Sequence, residues 1–194
     1  MADANNKVKY GLKNVYYAPL TIGEDGTPSF GKPEAWPGAV NLSMAAQGEA
    51  TKFRADNIDY FICQNNSGYS GSLETAIVPE KFKKDILGYI VSKSGTLVED
   101  ANAKTKPFAL LFQFEGDVNA TRHIFYNTVA SRPDVNGKTT DKTITPETEV
   151  CNIETGTVYD ASLDTDIVKG SCHKGDTDYD TWFTTVTLPE KAQA

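Results

Sequence analysis

The chain has 194 residues, of which 39% are hydrophobic, 10% aromatic and 23% charged. These are globular values, and they exclude a disordered chain, a collagen-like rod and a disulfide scaffold. The length suits one sizeable core, and 26 acidic against 19 basic residues, net −7, argues against a protein that grips nucleic acid by its phosphates.

In chain order, the first 14 residues are polar and carry no apolar run before a small-residue cleavage site, so no secretion signal is expected. A strand is expected near 9–21. Residues 23–38 (GEDGTPSFGKPEAWPG) hold three Pro and four Gly and read as a long loop. Strands follow near 39–46, 49–55, 58–64 and 71–78. A short helix is expected over 79–87. Pro79 is welcome in a first turn, Phe82 and Ile86 share a face, Glu80 and Lys84 make an i,i+4 pair, and Gly88 can close the end. After a strand near 88–92 comes the clearest one, Phe108 to Glu115. In it Phe108, Leu110, Phe112 and Phe114 take one face and Ala109, Leu111, Gln113 and Glu115 the other. Its apolar run Phe108–Phe112 is far too short to span a bilayer. A turn at 116–119 leads to a partner strand over 121–129, making a hairpin with an aromatic inner face. Residues 131–143 (SRPDVNGKTTDKT) read as a second long loop, and strands are expected near 144–154 and 180–188. With 21 Thr, 9 Tyr and 9 Phe and turn residues at short intervals, the fold class is mainly β. It is a sandwich or barrel with one flanking helix, in a single domain over 1–194.

Charge is uneven along the chain. Residues 1–130 hold 14 acids and 13 bases, whereas 131–194 hold 12 acids and 6 bases. Cys63, Cys151 and Cys172 are an odd, widely spaced set that fits neither a disulfide framework nor zinc, and a reducing compartment suits them. The sequons at Asn41, Asn65 and Asn119 are read as chance.

Motifs for chemistry fail. There is no phosphate-cradling glycine pattern, and Gly68-Tyr69-Ser70-Gly71-Ser72 lacks the spacing of a nucleophile elbow. His123 lies within a strand. His173 follows Cys172 directly, so in a strand the two point to opposite faces and make no thiolate–imidazole pair. Asp176, Asp178 and Asp180 alternate like the opening of a calcium loop, but the sixth position is Thr181 and the twelfth Thr187. No catalytic, cofactor or metal residue is assigned.

Several stretches, taken in order, resemble the major tail protein family of long, non-contractile-tailed bacteriophages, especially those of Gram-positive hosts. They are Tyr10-Gly11-Leu12-Lys13-Asn14-Val15-Tyr16-Tyr17-Ala18, Pro37 to Leu42, Ala55 to Tyr60, and Asn66 to Glu74 leading into Pro79–Gly88. Phe112 to Asp117, Arg122 to Asn127 and Ala130 to Pro133 complete the set. The resemblance implies a β-sandwich or barrel of the tail tube type, a non-enzymatic subunit that forms hexameric rings stacked around a tape measure protein. By the same resemblance, the lumen is expected to conduct DNA without binding it specifically. Tail terminator and distal tail proteins are the implied partners, with no membrane. The virion tail is the implied location, and the host cytoplasm the place of assembly.

On this reading the long loops carry contacts between subunits or rings, with Phe30, Trp36, Arg132 and Asp134 as candidates. The acidic excess suits a lumen that repels phosphate, with Glu115 as a candidate lumen acid. Two other readings stand beside it. A monomeric carbohydrate-binding sandwich would use Trp36, Tyr69 and Trp182 around a groove. A hydrolase would need two carboxyl groups of raised pKa in one cleft.

Overall fold

The computed structural model describes residues 8–139 and 146–191. In chain order the elements are β1 (Leu12–Ile22), β2 (Pro28–Phe30), β3 (Glu34–Ala35), β4 (Ala39–Ala46), β5 (Ala50–Ala55), β6 (Ile58–Gln64) and β7 (Tyr69–Thr75). Then come α1 (Glu80–Asp85), β8 (Ile90–Val91), β9 (Leu97–Val98), β10 (Phe108–Phe114) and β11 (Arg122–Ala130). The last are β12 (Glu149–Gly156), β13 (Val158–Asp160), β14 (Thr165–Ile167) and β15 (Lys169–Cys172).

The main antiparallel sheet runs β2–β1–β10–β11–β12–β7–β4, with β3 added to β1 and β15 to β11. It forks at β11, whose first half (Arg122 to Phe125) pairs with β15 and whose second half (Asn127 to Ala130) pairs with β12. The far strand β4 comes back into contact with β1, so the sheet curls around an interior.

That interior is filled as the alternation of β10 predicts. Phe108, Leu110 and Phe112 point into an inner cluster with Val15, Tyr17, Leu73, Phe125, Cys151 and Ile153. Helix α1 plugs it: Phe82 and Ile86 are fully buried, and the Phe82 ring meets those of Tyr17, Trp36 and Phe108 at 5.0, 4.1 and 5.2 Å. Pro79 precedes the helix as its N-cap, Lys84 reaches Glu80 at 3.4 Å, and Gly88 follows with φ +77°. A β-carbon at Gly88 would lie 2.9 Å from that of Ala103, so both the turn and the packing require glycine there.

The opposite face of β10 is buried as well. Ala109 and Leu111 join Ala18, Leu20, Ile124 and Tyr126 in an outer cluster, which Val158, Cys172 and Trp182 cover from the C-terminal third. The strand is thus covered on both faces.

Three expectations are corrected. The strand near 180–188 does not form. Residues 177–184 are turns, pinned by packing: Phe183 stacks on Tyr16 at 4.9 Å, and the Arg122 guanidinium lies 3.8 and 4.8 Å from the Tyr179 and Phe183 rings. The segment 23–38 is not a free loop, because β2 and β3 within it pair with β1. Trp36, expected in a contact loop, is instead 1% exposed in the inner cluster. The loop expected over 131–143 is irregular through 139, and its remainder lies outside the described residues.

A candidate self-assembly surface

The chain between β4 and β7 forms one long two-stranded ribbon. Its inner half is β4 and β7, in register from Leu42↔Leu73 to Ala46↔Tyr69. The ladder then continues outward. The Gln47 N–H donates to Gly68 O at 2.8 Å, the Ser67 N–H to Gln47 O at 2.9 Å, and the Asn65 N–H to Glu49 O at 3.3 Å. Gly48 sits at this junction, where a β-carbon would meet Asn65 O at 2.2 Å. The outer half is β5 and β6, joined by Asp56 and Asn57, both at positive φ (51° and 64°). Such a two-residue turn matches the twist of the strands, and Asp and Asn tolerate it.

Among the described residues, β5 and β6 pair only with each other, and the hairpin packs against neither cluster. Phe53, Ile58, Tyr60, Phe61 and Ile62 are 56–68% exposed. Phe53 opposes Phe61 and Thr51 opposes Cys63, which gives one face a row free of charge. Lys52 and Arg54 both reach Asp59, at 3.1 and 3.4 Å. Exposed ion pairs of this kind add little, and an isolated two-stranded hairpin is marginal in water. Five large apolar side chains on a protruding ribbon therefore form an exposed apolar surface of the kind that serves as an interaction site. The second border of opportunity is β4 itself, which pairs with β7 alone among the described strands. An edge of this kind is a ready template for a neighbour's strand.

The residues singled out from sequence lie in different parts of the fold. Phe30, in β2, is half-buried against Tyr126, with ring centres 6.2 Å apart. Arg132 is exposed and paired with Glu99. Asp134 is exposed, and its N–H donates to Val150 O at 3.4 Å. Glu115 is exposed just beyond β10, 3.6 Å from Lys13 Nζ. The exposed hairpin lies outside these candidate contact residues, although the sequence predicts both of its strands.

Features that other readings need are placed differently. Trp36 and Trp182 are buried and Tyr69 packs on Phe125 at 5.1 Å, so the three do not form an exposed aromatic groove. Burial pushes the thiol of Cys172 up to about 11 and that of Cys151 to about 12. His173 turns away from Cys172, its Nδ1 lying 3.2 Å from Thr121 Oγ1. Hydrogen bonds hold Asp25 (from Thr27), Glu34 (from Lys81) and Glu99 (from Tyr89, then Arg132) below the usual carboxylate range. Asp176 accepts the His173 N–H at 2.6 Å.

His123 stacks on Phe112 at 5.2 Å, and its Nδ1 is buried without a hydrogen-bond partner. Burial first, then the charge of Lys169, push its pKa from 6.5 down to about 4, against the pull of Asp117. The folded chain thus keeps His123 neutral where the unfolded chain takes up a proton. Its contribution to stability is complete above pH 6.5 and is lost as pH falls toward 4. The urea midpoint is expected to fall over that interval, and His123→Phe to flatten the fall. An identical slope in the variant would show that another group is responsible.

A family model described as phage tail tube protein matches residues 1–125. No curated protein matches the chain.

Proposed function

Because the chain belongs to the phage tail tube protein family, we propose that six copies close into a ring and that rings stack into a hollow tube. Its role is structural and its place is the virion tail. A tape measure protein fills the tube during assembly in the host cytoplasm, terminator and distal tail proteins close its ends, and DNA passes through it on ejection. The chain performs no catalysis in this role.

The observation that carries this reading is the protruding β5–β6 hairpin, with its five exposed apolar side chains. Burying them between copies removes that apolar area from water. β4, which touches β1 but pairs by hydrogen bonds with β7 alone among the described strands, offers a second contact by strand pairing between neighbours. Contacts between unlike surfaces close into rings or run on into filaments, and a stacked tube uses both. Phe30, Arg132 and Asp134 are proposed at contacts between subunits or rings, and Glu115 at the lumen, where negative charge lets DNA slide.

Negative-stain microscopy of the concentrated protein tests the reading, with rings or tubes as the expected result. A chain that stays monomeric in sedimentation at high concentration, with its tail partners present, overturns it.

A further inference from the structure

A pocket of about 140 Å³ opens beside the inner cluster. Its walls are the rings of Tyr69, Phe112, Phe114 and Phe125. Two cations stand over them: Lys9 Nζ is 4.9 Å from the Phe114 ring centre, and Lys169 Nζ is 5.9 and 6.0 Å from those of Tyr69 and Phe125. Neither lysine forms an ion pair among the described residues. Both depress the pKa of His123, so their charges act on the same space. An aromatic pocket crowned by two unpaired ammonium groups fits an apolar side chain with a carboxylate next to it.

The hairpin tip presents that combination. Ile58 is 59% exposed, and Asp56, two residues away across the turn, is exposed and forms no ion pair among the described residues, the nearby Arg54 guanidinium being engaged by Asp59 at 3.4 Å and by Asn57 O at 3.4 Å. A cavity of about 150 Å³ accepts a benzene-sized group, so an isoleucine side chain is of the right size. The tip cannot enter the pocket of its own chain. Tyr69 lies at the root of the ribbon, paired with Ala46, and Ala55 lies roughly 30 Å further out at about 3.3 Å per residue.

We propose that the β5–β6 tip of one copy seats in this pocket of the next, with Ile58 against the aromatic walls and Asp56 between Lys9 and Lys169. This rests on the assembly reading and supplies its socket. Tip and socket are different surfaces, so the contact is head-to-tail and repeats from copy to copy.

A charge-reversal cycle in the full chain tests the pairing. Asp56→Lys alone, or Lys9→Glu with Lys169→Glu, is expected to raise the concentration needed for assembly about tenfold or more, and all three together to restore most of that loss. Unchanged assembly in the single reversals, or no recovery in the combination, overturns the pairing. A second measurement is independent of charge. In a Cys63→Ser background, Ile58→Cys with Met44→Cys, the latter in the same pocket, should give disulfide-linked ladders on oxidation of assembled protein. Tubes that form without ladders overturn this pairing and leave the assembly reading standing. Wild-type protein that never assembles overturns both.

Discussion

Replacing Phe53 and Phe61 together by Ser is expected to abolish rings and tubes while leaving the monomer folded. The two residues are paired across the hairpin and are 60% and 59% exposed, so they contribute almost nothing to the monomer core. Burying an aromatic side chain at an interface is worth about 2 kcal/mol. Two per contact give about 4 kcal/mol, close to three decades in the association constant. Sedimentation velocity and negative-stain images read the loss of assembly, and a thermal melt within a few degrees of wild type shows that the fold persists. Tubes of normal abundance from this variant would remove the hairpin from the assembly surface.

The opposite pattern is expected at Phe82. It is fully buried, and its ring contacts Tyr17, Trp36 and Phe108. Phe82→Ala should cost about 4 kcal/mol, from lost burial and the cavity left behind. Helix α1 has only six residues, too few to hold its shape without this anchor. Urea unfolding of the monomer measures the loss, and assembly fails only as far as the fold does. A cost below about 1 kcal/mol would mean that the helix does not plug the sheet.

How far the sequence reaches is clear from particular elements. The alternation of Phe108, Leu110, Phe112 and Phe114 placed β10 in the core, and Pro79, Phe82, Ile86 and Gly88 placed the helix, because those patterns arise from local geometry. The strands β2 and β3 were not visible, since two or three residues show no period and their pairing is supplied by β1. The Trp182-Phe183 stretch has the composition of a strand. There the aromatic packing around Arg122 and Tyr16 replaces a ladder. Trp36 lies among prolines and glycines, a surface signature, yet tertiary contacts carry it inward. Both strands of the protruding hairpin were legible. Alternation tells which side chains share a face, but not whether anything within the same copy covers it. The exposure of the hairpin therefore emerges only at the level of the tertiary fold.

The unbroken ribbon from β4 and β7 into β5 and β6 also has a mechanical meaning. A pull on its tip drags β4 and β7 outward together along the strands, so the ladder joining β7 to β12 carries the load, its bonds side by side in shear. Bonds loaded together in this way yield at far higher force than bonds peeled apart singly. A cylinder coupled through such ribbons would owe its tensile strength to the inner sheet of every tile, and its pliancy to the seams between them.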